Sequence, residues 1–272
     1  MTQFEVIDVN PQNVEEVGFF CARSRPGLIG YEDKLVWLES RFREGLCIKM
    51  ILNGGRGFIE YIPGKYAWRG IVAPNYIVVH CLWITGPRQQ HECGEALLDE
   101  CIGDARAANL DGVAAVAAHR RLSHTDTGFF LRHGFKRIDT VPPGIDLVAF
   151  KFRRTAPDPA LAGNWEQKRQ SLGPGLTIVS SPQCPYSYEG ARQISNSAHK
   201  LGVPVTTVRI KSATQMRRSA PTPCGAFDLV YRGQFVPNLC HHISPAKLRI
   251  MLDRSQAPGG PQRKLSRPSP AR

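Results

Sequence analysis

The sequence predicts an α/β (α+β) chain of two successive units, a mixed helix-and-strand unit over residues 1–152 and a smaller β-α-β-β-α unit over residues 175–253. Three observations predict it. Apolar residues switch along the chain between helical spacing and short continuous runs, the pattern of helices layered on sheets. A stretch rich in Pro, Gly, Ala and charge interrupts that pattern over residues 153–174 and reads as a linker. The charge balance also changes there: residues 1–152 hold 17 Lys/Arg against 18 Asp/Glu, and residues 153–272 hold 18 against 5.

In the first unit, KLVWLESRFREG has Leu35, Leu38 and Phe42 at helical spacing and stops at Gly45. LCIKMIL and GRGFIEYIP follow as two strands joined by NGG, a hairpin signal. NYIVVHCLWITG reads as a strand buried on both faces. A loop leads into the helix CGEALLDECIGDARAANL, in which Leu97, Leu98, Cys101, Ile102 and Ala105 form one apolar stripe. GVAAVAA is another buried strand, GFFLRHGF a short helix entering a Gly-started strand, and DLVAFKF closes the unit.

In the second unit, LTIVSS is a strand and QCPYSYEGARQISNSAHKLG a helix with a Gly stop. VPVTTVRI is the next strand, a short basic segment follows, and APTPCGAFDLVYRGQFV is a hairpin turning at Arg232-Gly233. SPAKLRIMLD is a last helix with Ser244 as N-cap. Residues 254–272 carry too few apolar groups to order themselves and read as a disordered basic tail.

With 272 residues the chain is long enough for two ordinary domains. Nothing approaches the ~18 consecutive apolar residues of a membrane span, and the N-terminus lacks the basic start and apolar stretch of a signal peptide. A cytoplasmic location without a membrane partner is the expectation. The eight cysteines (Cys21, Cys47, Cys81, Cys93, Cys101, Cys184, Cys224, Cys240) are scattered and read as reduced thiols. No CxxC or zinc-spaced Cys/His pair occurs, His241-His242 beside Cys240 is a weak cluster, and no metal is expected. The net charge of +12 is concentrated in the second part, which points to an anionic partner there.

Residues Trp83 to Ala105, WITGPRQQHECGEALLDECIGDA, outline a strand, a tight loop and a helix. Orphan amides and the dipole at such a helix start favour an anion, and glycines let it approach closely. On these residues the first unit resembles the GNAT acyltransferases, in which a Gln/Arg-x-x-Gly-x-Gly/Ala loop takes the pyrophosphate of acyl-CoA. The positions matching that loop are Gln89, Gln90, His91, Glu92, Cys93 and Gly94, with Ile84 at the end of the preceding strand. FLRHGF resembles the later segment of that family ending in Gly-Phe, here Gly134-Phe135. GFIEYIPGKYAWRG, HCLW, NWEQK and SPQCPYSYEGA together resemble the GNAT proteins that carry a C-terminal YoaP-like domain, a unit similar to thioredoxin. Two positions depart from the family pattern. Glu92 stands where the first cradle glycine belongs, and Phe130 stands where many members carry the Tyr that acts as general acid.

The resemblance implies transfer of an acyl group from acyl-CoA to a small-molecule amine. It implies His80 as general base, with Glu60 and Tyr61 as alternatives, and a strand N–H of Leu82 or Trp83 holding the oxyanion. A second reading keeps the fold and takes an amino acid from aminoacyl-tRNA, with no separate cofactor. The basic unit would then bind tRNA phosphates through Arg153, Arg154, Lys168, Arg169, Arg192, Arg209, Lys211, Arg217 and Arg218. A third is a monothiol redox protein using Cys184 in CPYS, with Cys224 and the prolines Pro221 and Pro223 near it. The acceptor amine and the oligomeric state are not legible in the sequence.

Overall fold

The computed structural model describes residues 5–21, 27–85, 90–118, 126–237 and 243–256. The tail from residue 257 on and the Cys240–His242 cluster lie outside the described residues.

The chain begins with β1 (Glu5–Val9), α1 (Val14–Val17) and α2 (Ile29–Arg43). The expected hairpin is β2 (Cys47–Asn53) and β3 (Gly57–Pro63), and after a two-residue strand β4 (Ile71–Val72) the buried run is β5 (Tyr76–Ile84). α3 (Gln90–Ala107) crosses to β6 (Gly112–Ala118), followed by α4 (Thr127–Arg132), β7 (Lys136–Val141) and β8 (Ile145–Lys151). Seven of these strands form one sheet in the order β1-β2-β3-β5-β6-β8-β7. All neighbours are antiparallel except β5 and β6, which the α3 crossover makes parallel.

Alternation of side chains along the strands gives the sheet two apolar faces. One packs Ile59, Tyr61, Val79 and Leu82 against Leu97, Leu98, Cys101 and Ala105 of α3, with Phe130 of α4. Gly94 of α3 is part of that packing, because a Cβ there would stand 2.8 Å from the Phe129 ring and 3.1 Å from Ile84. The other face packs Phe58, Ile62 and Val78 against Trp37, Leu38 and Trp68.

The segment 153–174, expected as a linker, holds β9 (Ala160–Leu161), which pairs with β4, and α5 (Trp165–Gln170). The second unit is β10 (Leu176–Ser180), α6 (Tyr186–Lys200), β11 (Val205–Arg209), α7 (Ala213–Ser219), β12 (Phe227–Tyr231), β13 (Gln234–Val236) and α8 (Pro245–Gln256). Its sheet order is β11-β10-β12-β13, with β10 and β11 parallel and the other pairs antiparallel. The short basic segment of the sequence is the helix α7, capped by the Ser212 hydroxyl accepting from the Gln215 N–H at 3.1 Å.

The two units share a core. Leu176 and Ile178 of β10 face Ile194, Ala198 and Leu248 of the helices α6 and α8. Val179, pointing the other way, joins Met216, Ala220 and Ile210 to the cluster of Trp37 and Trp68 in the first unit. The contact between α2 and α6 is close enough that a Cβ on Gly30 would lie 1.8 Å from the Pro185 carbonyl oxygen. Gly70 N–H donates to the Pro223 carbonyl at 2.9 Å, and Arg209 pairs with Asp33 at 3.0 Å.

Candidate active site

The register of β5 against its neighbours changes at one residue. On the β3 side Tyr61 pairs with Val79 and Glu60 pairs with Cys81, so one step on β3 spans two on β5 and His80 is the extra, bulged residue. On the β6 side pairing runs from Tyr76/Gly112 to Val79/Ala115 and, among the described residues, goes no further, although β5 continues to Ile84 and β6 to Ala118. The bulge therefore marks the start of a splay. Among the described residues, the β6-facing backbone groups of β5 beyond Val79 have no strand beside them, and buried backbone groups demand a partner, as the His80 carbonyl finds in Arg69. A ligand with amide groups of its own can supply one.

Under the bulge sits a buried polar network. Lys34 Nζ of α2 lies 2.5 Å from Glu60 Oε2. Glu60 Oε1 is 3.4 Å from His80 Nδ1, and the Trp68 N–H donates to His80 Nε2 at 3.0 Å. With Nε2 accepting, the ring proton belongs on Nδ1, facing Glu60. The 3.4 Å approach is an electrostatic contact without hydrogen-bond geometry. Burial alone would raise the Glu60 pKa, but Lys34 and His80 outweigh it and hold the carboxyl at about 2. Burial pushes His80 down to about 4 against the opposing pull of Glu60, so the ring is neutral at physiological pH.

Arg69, also buried, closes the network towards the second unit. Its Nη1 donates to the Trp68 carbonyl at 2.8 Å and to Gln183 Oε1, and its Nη2 donates to the carbonyl of His80 itself. Gln183 in turn donates from Nε2 to Ser181 Oγ at 3.0 Å. Beyond it, Tyr186 at the start of α6 packs on Trp83 with ring centres 6.4 Å apart, and Phe20 meets Trp83 at 6.0 Å.

These placements change several sequence expectations. His80 is on the splayed strand as expected, but its basic nitrogen is occupied by the Trp68 N–H and its pKa is far below that of an amine. With that nitrogen accepting a backbone N–H, the geometry speaks for a positioning part for His80 and against that of general base. Glu60 and Tyr61 point to opposite faces. Glu60 is consumed by Lys34, and the Tyr61 hydroxyl donates to Asp104 Oδ2 of α3, with burial driving its pKa strongly upward. Neither is poised to move a proton in the splay. Leu82 and Trp83 lie on its unpaired half, with Leu82 facing α3 and Trp83 facing the second unit.

In the loop, Gln89 lies outside the described residues, as do the side chains of Gln90 and His91, where α3 starts. Glu92 is exposed in the first turn of α3. Cys93 and Gly94 are buried and point into the α3 face of the core, with Ile84 packed against Gly94. Phe130 is fully buried among Phe129 and Phe135.

Most of the basic residues proposed to meet RNA have protein partners. Arg153 pairs with Asp111 beside a polar cavity of about 300 Å³, Arg192 with Glu189 at 2.9 Å and Arg209 with Asp33. Lys168 donates to the Arg217 carbonyl at 2.7 Å and lies over the Trp165 ring. Arg169 and Arg217 reach the carbonyls of Pro221 and Ala67 at 3.4 and 3.5 Å. Arg154, Lys211 and Arg218 are exposed, and so are Arg153, Arg192 and Arg209, whose ion pairs lie at the surface.

Lys34, Trp68, Arg69 and Gln183 are site residues that sequence reasoning missed. No spacing marks them, because they are brought together by the bulge and by the docking of the second unit.

No family model matches the chain. It is 30% identical over 236 residues to an uncharacterised N-acetyltransferase, YoaP, of Bacillus subtilis (strain 168), spanning 85% of this chain and 92% of that protein. It is also similar to a GNAT-family acetyltransferase from Staphylococcus aureus Mu50, at 15% identity and a TM-score of 0.40 over 56% of this chain and 100% of the other. A GNAT-family acetyltransferase from Brucella melitensis in complex with acetyl-CoA is 16% identical, with a TM-score of 0.38 over 59% of this chain and 96% of the other.

Proposed function

Because the chain belongs to the GNAT-type N-acetyltransferase family of YoaP, we propose that it transfers an acetyl group from acetyl-CoA to the amine of a small molecule. The observation that carries this reading is the splay, where the ladder between β5 and β6 ends at Val79/Ala115 while both strands go on. An extended arm bearing amide groups fits such a gap by completing the β5 backbone from His80 towards Ile84. The start of α3 lies just beyond Ile84, and its orphan N–H groups favour the donor's phosphates. Bound there, acetyl-CoA supplies a carbonyl already activated as a thioester.

The chain's residues then have the following parts. The bulge at His80 sets the direction of the N–H groups that follow, and an N–H of Leu82 or Trp83 receives the developing oxyanion. His80, Glu60 and Lys34 are positioning residues: they lock the bulge by fixing the ring, the Trp68 backbone and α2 to one another. Arg69 holds the His80 carbonyl and through Gln183 ties the strand to the second unit. In this reading the acceptor amine reaches the carbonyl as the free base, its proton lost to solvent, since His80 Nε2 already accepts from Trp68 and the Tyr61 hydroxyl already donates to Asp104.

The aminoacyl-tRNA reading has less to stand on, since six of its nine candidate cations have partners within the chain. One experiment separates the donors. Calorimetric titration of acetyl-CoA and of mixed charged tRNA at two salt concentrations is followed by thiol release with a panel of primary amines. Acetyl-CoA binding with amine-dependent release of CoA supports the proposal. Salt-dependent tRNA binding without measurable acetyl-CoA binding overturns it.

A further inference from the structure

At the end of the sheet opposite the splay, three chain segments line the polar cavity of about 300 Å³. Asn75 directly precedes β5, Asn109 and Asp111 lie between α3 and β6, and Arg153 and Thr155 follow β8. They meet where the parallel pair begins, with Tyr76 level with Gly112, whereas the splay opens at the far end of the same two strands. The volume stands at the lower end of the roughly 300–1,000 Å³ of small-molecule pockets.

The walls are fixed by their own backbone. The Asp111 N–H donates to the Asn75 carbonyl at 2.8 Å, and the Phe152 N–H to the Asp111 carbonyl at 2.9 Å. The Tyr76 hydroxyl donates to the Pro157 carbonyl at 2.6 Å, which holds the third segment against the first. A ligand entering here has little ordering of the chain to offset.

The side chains define what enters. Asp111 is buried, its side chain 6% exposed, and Arg153 reaches it from solvent, 59% exposed. Their pair joins Oδ1 of Asp111 to Nη2 of Arg153. That uses one carboxylate oxygen and one arm of a guanidinium with five N–H donors, so each partner keeps capacity for a second contact. A phosphate would meet the Asp111 carboxylate, and a simple amine would meet Arg153. A molecule carrying both charges satisfies both. In an α-amino acid the ammonium and carboxylate are one carbon apart, which matches two protein charges already in contact. Around the pair, the amides of Asn75 and Asn109 and the hydroxyl of Thr155 both donate and accept.

We propose that this cavity binds a small zwitterion, a free α-amino acid with a short polar side chain. Its carboxylate takes the free N–H donors of Arg153 and its ammonium group takes Asp111. The site is separate from the acyl-transfer cleft and does not depend on the acetyl-CoA reading.

The test is calorimetric titration of the full chain with L-serine and L-asparagine, set against ethanolamine, lactate and inorganic phosphate. Both amino acids should bind, and each control, lacking one charge or the other, should bind at least about tenfold more weakly. In Arg153→Gln the new amide still hydrogen-bonds Asp111 but forms no ion pair with a carboxylate. It should weaken amino-acid binding roughly ten- to a hundredfold. Hydrogen exchange with bound L-serine should slow at residues 109–111 and 152–156 and leave Cys81–Ile84 unchanged, a readout that needs no variant. The proposal is overturned by the absence of amino-acid binding at millimolar concentrations, or by ethanolamine or phosphate binding as tightly as serine. Full affinity in Arg153→Gln overturns it too. Protection appearing at Cys81–Ile84 instead would place the amino acid in the transfer cleft and equally overturn this site.

Discussion

Lys34 Nζ lies 2.5 Å from Glu60 Oε2, and the two side chains are only 3% and 4% exposed, so an ion pair joins α2 to the centre of the sheet inside the protein. Removing one partner strands the other charge. Glu60→Gln or Lys34→Met should each cost roughly 3–5 kcal/mol of stability. The double variant Lys34→Met/Glu60→Leu should cost less than the sum, because no lone charge remains. Urea unfolding of the three variants checks this, and strict additivity would show that the two charges do not depend on each other.

His80 makes stability depend on pH. It is a base whose pKa falls from its ordinary value near 6.5 to about 4 on folding, so the unfolded chain binds more protons between those limits. Its contribution is present above about 6.5 and is lost as pH falls towards 4, a change of about 3 kcal/mol. Asp228 works in the opposite direction. Buried, with Thr222 donating to Oδ1 at 2.7 Å, it is raised by burial to about 6 and favours folding as the pH falls below that value. The two effects therefore nearly cancel between about 5 and 6, and below about 4.5 stability falls as Glu60, held at about 2 in the fold, is protonated first in the unfolded chain. In His80→Gln, whose amide oxygen reaches the Nε2 position and still accepts from Trp68, stability should rise as pH falls from about 6 to 5. Parallel profiles for the two proteins in urea titrations would contradict the assignment.

Two glycines in helices should respond to Ala with opposite signs. Gly103 of α3 has nothing within 4 Å of the position a Cβ would take, so Gly103→Ala should stabilise by roughly 0.5–1 kcal/mol. Gly30 of α2 would set its Cβ 1.8 Å from the backbone oxygen of Pro185. Gly30→Ala should destabilise by roughly 1–3 kcal/mol and lower activity by moving Tyr186 off Trp83 of β5. Thermal melts with a rate assay read both effects.

The contrast between what the sequence yields and what it hides follows from range. The hairpin of β2 and β3, the two-faced strand β5 and the stripe of α3 were legible because period 2 and period 3.6 are local patterns. Of the predicted α3 stripe, Leu97, Leu98, Cys101 and Ala105 are buried on that face and Ile102 partly so, with Cys93 added to them. The bulge at His80 left no trace, since YIVVHCLWI is apolar throughout and a shift of register does not alter its composition. The surroundings of His80 were hidden for a related reason. A histidine's chemistry depends on what its second nitrogen meets, here the Trp68 N–H, twelve residues away. The basic residues were visible as charge, but only the fold shows that Arg153, Arg192 and Arg209 end on carboxylates.

Glu92 is exposed in the first turn of α3, where an acid stabilises the helix but competes with an incoming phosphate. Glu92→Gln should lose a few tenths of a kcal/mol of stability, up to about 1. It should bind acetyl-CoA more tightly by about 1 kcal/mol, roughly five-fold, at low salt, and by less as salt screens the charge. An unchanged affinity in calorimetry would place the carboxylate away from the phosphates.

The central claim is that the donor enters between β5 and β6 beyond the bulge. Amide hydrogen exchange with and without saturating acetyl-CoA tests it most directly. Slowed exchange confined to Cys81–Ile84, Val116–Ala118 and the first turn of α3, with β1 and β13 unchanged, is the predicted result. Acetyl-CoA binding that leaves Cys81–Ile84 exchanging at its original rate would contradict it.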